Sequence, residues 1–332
     1  MDPLIIMWLG FILAAYSVVG NDVIQTLGTF LSSNEDKPWY ILWLFAGSIM
    51  TATLVYGWYQ YGGDVSYQRL IGDAEDGFNL DNPKYVDPRE IDSFGWVYVL
   101  PPLVLMIITR VGIPVSTSFL ILTFFKPKGL YDMVVKSMSG YLVAFGAAIV
   151  LYLFITKSLE KRFANTEMSA QNRRNWTIAQ WASTGFLWTQ WLAQDFANIY
   201  VYLPRRVDGT TLAISLGVLL AMLAYIFYAR GGAIQGIVKA KSNTADIRSA
   251  TFIDLSFGII LYFFKELNNV PMSTTWVFLG LLAGREIAIR YNLDNKVSKE
   301  TMRDLGLDLA KVFFGLFISI ALVFLIKFIT GA

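Results

Sequence analysis

The apolar residues of this chain fall in long runs rather than in the narrow stripes of a water-soluble amphipathic fold. The runs lie at residues 4–31, 39–60, 95–111, 113–125, 137–156, 177–203, 209–229, 250–267, 271–284 and 307–329. A helix needs about 20 apolar residues to cross the hydrocarbon core of a bilayer. Most of the runs meet that length and are predicted to be membrane helices. Those at 113–125 and 271–284 are short, and each opens with a proline, Pro114 and Pro271. They read as half-helices or re-entrant segments, which persist at membrane depth only where protein or a water-filled cavity surrounds them.

Charge between the runs sets the expected orientation. Residues 157–176 hold five basic and two acidic side chains, and residues 229–248 hold four basic ones and Asp246. Both loops belong on the cytoplasmic side. The loop 61–93 holds eight acids against Arg69, Lys84 and Arg89, so it belongs outside as a disordered or small folded external cap. Ten crossings from an outside N-terminus satisfy all three loops and place the C-terminus outside as well, in a plasma (inner) membrane. The stretch with Lys126, Lys128 and Lys136 then lies outside, against the rule.

Composition agrees with the pattern and narrows the chemistry. Of 332 residues, 55% are hydrophobic and 16% charged, against about 25% charged in an ordinary soluble domain. There is no Cys and no His, which removes thiolate and imidazole metal sites, cysteine nucleophiles and His-based triads. A net charge of +2 gives no footprint for nucleic acid.

Two motifs occur twice. Gly20-Asn21-Asp22-Val23-Ile24-Gln25 interrupts the first run, followed by Gly28-Thr29. Ala193-Gln194-Asp195-Phe196-Ala197-Asn198 occupies the sixth run, and a helix break is expected at both places. The second motif is Pro114-Val115-Ser116-Thr117-Ser118, repeated as Pro271-Met272-Ser273-Thr274-Thr275. Five segments precede the basic loop and five follow it, so the halves have opposite orientation. The fold expected is an all-α polytopic membrane protein of two inverted-topology repeats with broken and re-entrant helices. Residues 1–160 form the first repeat, 161–176 a basic cytoplasmic linker, and 177–332 the second repeat.

Each motif has a chemistry. A helix opening at Pro114 or Pro271 presents unpaired N–H groups and a positive dipole end. Ser116, Thr117 and Ser118 add hydroxyls at one opening, and Ser273, Thr274 and Thr275 at the other, making two cradles for a tetrahedral oxyanion. Asp22 and Asp195 are carboxylates at membrane depth, which face a bundle interior rather than lipid. With the amides Asn21, Gln25, Gln194 and Asn198 they suit a hard cation such as Na⁺, and a carboxylate could carry a proton instead. Asp254 is a third ion-coupling candidate. Arg110 and Arg285 either neutralise an anion or anchor loop ends.

These residues resemble the PiT family of inorganic phosphate transporters. Gly20-Asn21-Asp22-Val23 with Gly28-Thr29 is similar to that family's G-x-N-D-V-x-N-x-x-G-T motif, and Gln194-Asp195-Phe196-Ala197-Asn198 to its second copy. The two Pro-Ser-Thr motifs are similar to its P-V-S-T-T-H elements, and Phe252-Ile253-Asp254 to its F-x-I-E element. The resemblance spans nearly the whole chain. It implies ion-coupled uptake of phosphate by Na⁺ or H⁺ symport, without other cofactors, by a homodimer. By motif match, Asp22, Gln25, Asp195 and Asn198 help form the substrate and ion sites, and the Ser and Thr residues hold phosphate. The sequence departs from the pattern at Phe119 and Trp276, where the family has His, and at Gln25 and Gln194, where it has Asn. Without His a proton must ride on a carboxylate, which favours Na⁺. Sulfate is the alternative substrate. An intramembrane aspartyl protease, the rival class, leaves both Ser/Thr cradles unexplained.

Overall fold

The chain enters its first helix through Asp2, whose carboxylate accepts from the Leu4 N–H (2.9 Å) ahead of Pro3. The computed structural model describes residues 2–72, 74–91, 94–110, 116–126, 130–155, 168–230, 246–267, 273–294 and 299–330. Helix α1 (Pro3–Val18) runs into a π turn at Val19–Val23 and continues as α2 (Ile24–Ser33). The turn holds Gly20, Asn21 and Asp22 between Val19 and Val23. These residues give the α-helix little support, and the Thr26 hydroxyl donates to the loosened Asp22 carbonyl (3.0 Å). Then come α3 (Trp39–Gln60), α4 (Leu100–Arg110), α5 (Thr117–Phe125) and α6 (Leu130–Ile155). The second half carries α7 (Ala170–Tyr200), α8 (Gly209–Tyr228), α9 (Ile247–Leu267), α10 (Thr274–Asp294) and α11 (Lys299–Thr330). Every regular element among the described residues is helical, and the chain is an all-α membrane protein.

Five segments are long and apolar enough to cross a bilayer: Pro3–Val23, Trp39–Gln60, Tyr131–Phe154, Gly209–Tyr228 and Leu305–Leu322. The run 95–111 is a shorter apolar helix, in which a 3₁₀ turn at Trp96–Val99 leads into α4. Helix α4 has 11 residues and α5, of the run 113–125, has nine, or roughly 16 and 14 Å of rise. The two pack against each other. The partner run 271–284, expected to be a half-helix, is the opening of the 21-residue α10. That helix outlasts its apolar stretch because Arg285, Glu286 and Arg290 are good helix formers and Arg290 pairs with Glu286 (2.9 Å).

Helix α10 lies hard against α6, and α7 against α9 and α3. Gly280 and Gly284 permit the first contact. A Cβ on Gly280 would meet the Tyr141 backbone, with its carbonyl carbon and Cα both at 3.1 Å, and one on Gly284 would meet the Phe145 carbonyl. Packing of this kind, rather than hydrophobic expulsion, holds helices together in lipid.

The acidic loop is a folded cap. Lys84 and Tyr85 N–H groups bond the carbonyls of Ile71 and Leu70 (2.7 and 2.9 Å). The cap sits on the chain after α7. Val207 N–H donates to the Gly63 carbonyl (2.9 Å), Trp58 Nε1 donates to Val207 O (2.7 Å), and Arg205 N–H donates to Asp87 (2.8 Å). Gly63 has φ of +100° and Val207 O would lie 3.2 Å from any Cβ there, so only glycine serves. Burial pulls the Asp87 carboxyl up, but the bonds from Arg89 and Arg205 outweigh it and leave it below the usual carboxylate value. Burial pushes the Arg205 guanidinium down to about 10.

Candidate functional site

The first of the two motif aspartates, Asp22, is buried in the π turn. It accepts from Thr117 Oγ1 (2.8 Å), from Asn21 Nδ2 (2.7 Å) and, at 3.5 Å, from Thr275 Oγ1. Asp195 is buried in α7 and accepts from Asn198 Nδ2 (2.6 Å), with the Thr274 hydroxyl beside it. Asn198 Nδ2 also reaches Thr117 Oγ1 (3.0 Å). The two carboxylates are near enough for their charges to repel.

The pairing follows the motifs. Thr117 and Thr274 hold the same place in the two Pro-Ser-Thr copies, each is the first residue of its helix, and Thr117 bonds the aspartate of its own half while Thr274 lies beside the other. The contacts of Asn198 with Thr117 and of Thr275 with Asp22 join the halves.

Two expectations are corrected. Helix α7 does not break at Asp195. Residues 189–200 hold no Gly or Pro, and the carboxylate is satisfied sideways by Asn198 one turn on, so the helix runs on to Tyr200. Nor do the cradle helices begin at the prolines, which lie outside the described residues. They begin at Thr117 and Thr274, because the Ser116 and Ser273 hydroxyls accept from the N–H groups of Phe119 and Trp276 (both 3.3 Å) as N-caps. Those two hydroxyls therefore hold the helix openings in shape. The backbone N–H of Ser273 is taken by Ser137 Oγ (3.0 Å).

The remaining candidates divide. Ser118 and Thr275 are buried in the first turns of α5 and α10. Gln194 turns to α9, donating to the Leu261 carbonyl (2.9 Å), while its Oε1 has no donor. The side chains of Gln25 and Arg110 lie outside the described residues. Arg285 lies over the Tyr152 ring (5.4 Å), within the α6–α10 contact.

Asp254 belongs to a second polar centre. It is fully buried and accepts from the hydroxyls of Thr29 and Thr184, with Gln180 Nε2 at 3.5 Å. Gln180 Oε1 accepts from Asn34 Nδ2 (3.0 Å), and Asn34 lines a cavity of about 650 Å³ with Asp36, Lys37, Arg173, Thr177 and Asp246.

The donor sets fit a monovalent cation. Asp195 Oδ2 and Asn198 Oδ1 are buried oxygens with no hydrogen-bond donor. Such atoms are costly unless something positive meets them. Among the described residues no three His, Cys, Asp or Glu side chains cluster. Each aspartate instead has amide and hydroxyl companions. Phe119 and Trp276 meet edge to face (5.8 Å, 86°), bringing the two cradle helices together through an apolar contact.

Sequence reasoning missed Arg69, Gln180, Thr184 and Asn34. The spacing of Gln180 and Thr184, and of Gln190, Gln194 and Asn198, marks polar positions every fourth residue along one helix, a legible signal. Arg69 left only a faint one, as a rare cation in an acidic loop.

No family profile matches the chain, and no curated protein matches it. A solved structure described as the sodium-dependent phosphate transporter is similar in fold, with a TM-score of 0.62 over 99% of this chain and 100% of that one, at 17% sequence identity. That likeness speaks for the fold.

Proposed function

We propose that the chain is an ion-coupled symporter that imports inorganic phosphate by alternating access, with Na⁺ rather than H⁺ as the coupling ion. The observation that carries this reading is the pair of buried aspartates, Asp22 bonded to Thr117 and Asp195 to Asn198, joined across the halves by Asn198 and Thr275.

The coupling follows from charge. An oxyanion seated between the openings of α5 and α10 receives backbone N–H groups and the hydroxyls of Ser118 and Thr275, but it lies beside two carboxylates. At low dielectric the repulsion is severe unless cations are bound first. Cations at Asp22 and Asp195 remove it, so anion and cation sites fill together. Asp254, bonded through Gln180 and Asn34 toward the cavity, serves as a further cation site. Residues 1–160 and 177–332 act as inverted repeats that expose the site to one side and then the other. The protein works in the plasma membrane as a homodimer, with both termini outside.

A second reading, sulfate in place of phosphate, is favoured by the Phe119–Trp276 pair. It gives no acceptor to the proton of a hydrogen phosphate.

Proteoliposomes given labelled phosphate or sulfate under an inward Na⁺ or H⁺ gradient test both readings. Phosphate uptake driven by Na⁺ is expected, and Asp22→Asn and Asp195→Asn should abolish it in folded protein. Uptake of sulfate alone selects the second reading. Uptake of neither anion under either gradient refutes both.

A further inference from the structure

Helix α6 meets α10 along one face, and that face begins with a hydroxyl. Three residues one turn apart follow α10 in order: Ser137 at Ser273, Tyr141 at Trp276 and Gly280, and Phe145 at Gly284. Ser137 is fully buried, and its Oγ accepts from the Ser273 N–H (3.0 Å). Ser273 in turn shapes the opening of α10, where its carbonyl (3.1 Å) and its hydroxyl (3.3 Å) both accept from the Trp276 N–H. Thr274 and Thr275 follow directly and are buried as well. A side chain of the first half thus stands at the cradle of the second.

The bond from Ser273 occupies one lone pair of the Ser137 oxygen and leaves its proton unspent. Other buried hydroxyls on these helices give their proton to the carbonyl one turn back, as Ser17 does to Leu13 (2.7 Å), Thr251 to Ile247 (2.7 Å) and Ser319 to Gly315 (2.9 Å). Ser137 makes no such bond to Met133, and among the described residues its proton has no acceptor. A buried donor left this way is costly unless something arrives to accept from it. Accepting from an N–H also polarises the hydroxyl and strengthens it as a donor. Of the species the site is read to bind, a cation cannot accept a proton and an oxyanion can.

We propose that Ser137 is a ligand of the transported oxyanion. Its oxygen fixes the Ser273 N–H, and its O–H donates to an oxygen of the anion held at the opening of α10. The inference rests on the transport reading and adds a residue that no motif marks, supplied to the second cradle by a helix of the first half.

The test is uptake of labelled phosphate and of labelled sulfate into proteoliposomes, together with thermal unfolding with and without each anion, for Ser137→Ala, Ser137→Cys and Ser137→Thr. Alanine removes the hydroxyl, and cysteine fills its place but donates poorly. Both should raise the KM for the anion on the order of tenfold and shrink the rise in unfolding midpoint that the anion produces. The Na⁺ concentration for half-maximal uptake, taken at saturating anion, should stay as it is. Threonine keeps the donor and should restore the anion KM. Ser139→Ala, exposed on the same helix, should leave it unchanged. A wild-type anion KM with a wild-type anion-induced rise in either folded variant, Ala or Cys, overturns the proposal. A lower midpoint without anion would then mark Ser137 as a support of Ser273 alone. Equal shifts in the anion and Na⁺ requirements overturn it as well. If the unaltered protein takes up neither anion and is stabilised by neither, the transport reading itself fails, and that is seen before any substitution is made.

Discussion

Replacing Thr117 with Val removes the hydroxyl that holds Asp22 and meets Asn198 of the other half. The Thr117 hydroxyl does two things: it donates to Asp22 (2.8 Å) and accepts from Asn198 (3.0 Å). Valine keeps the shape and the start of α5, which Ser116 caps, and removes both bonds. Asn198 retains Asp195 (2.6 Å), so its own loss is partial. The larger effect falls on Asp22, which keeps Asn21 and the long 3.5 Å contact with Thr275. A hydrogen bond to a charged group contributes about 1.5–3 kcal/mol, equivalent to about a ten- to 150-fold change in an equilibrium constant. The concentration of Na⁺ giving half-maximal uptake in proteoliposomes should rise within that range. Thr117→Ser should stay near wild type, and Thr275→Val should cost less because its contact is longer. An unchanged Na⁺ requirement in Thr117→Val, or a greater loss in Thr275→Val, would refute the assignment.

Four further outcomes are expected. Asp254→Asn turns two hydroxyl donors, Thr29 and Thr184, toward a group that accepts less; it should weaken the cation dependence of uptake while ligand-induced stabilisation by the anion persists, measured by thermal unfolding. Gly280→Ala forces a methyl into the Tyr141 backbone, which cannot swing aside, and should cost about 1–3 kcal/mol, read as a lower midpoint in detergent. Ser116→Ala and Ser273→Ala should each cost about 1 kcal/mol of stability and raise the half-saturating anion concentration, since the caps shape the helix openings. Lys84 is held at about 8, below its ordinary 10.5, so between those values the folded state binds fewer protons than the unfolded one and stability rises with pH; a midpoint-against-pH curve should show that rise, and Lys84→Gln should lose it.

The architecture was legible because lipid imposes a length on apolar runs and a charge bias on loops. The buried polar cluster was legible because polar residues within apolar runs are rare enough to stand out. Asp22, Asp195, Thr117, Thr274 and Asn198 meet as their motifs imply, and Asp254 lies in the interior rather than at an interface. What could not be read was depth and continuity. Residues 95–111 divide between a 3₁₀ turn and the short α4, and α10 continues through polar residues that hydropathy counts as an end. The break expected at Asp195 failed because a shared motif does not carry a shared backbone. Gly20 softens the first copy, whereas Ala193 and Ala197 stiffen the second. Arg69 was hidden because its partner, the Ala193 carbonyl, is a long-range backbone acceptor with no trace in local sequence.

That difference in backbone gives the two aspartates different freedoms. A π turn holds surplus residue within the winding, and passing it up or down the helix by one place rotates the side chains it crosses by about 100°. Asp22 can thus swing its carboxylate out of phase with its neighbours while α1 and α2 stay folded. Asp195, on 31 residues of unbroken helix, keeps a fixed azimuth and moves only when the whole rod moves. Two groups matched in chemistry are in this way unmatched in mechanics, one a swivel and the other a fixed post.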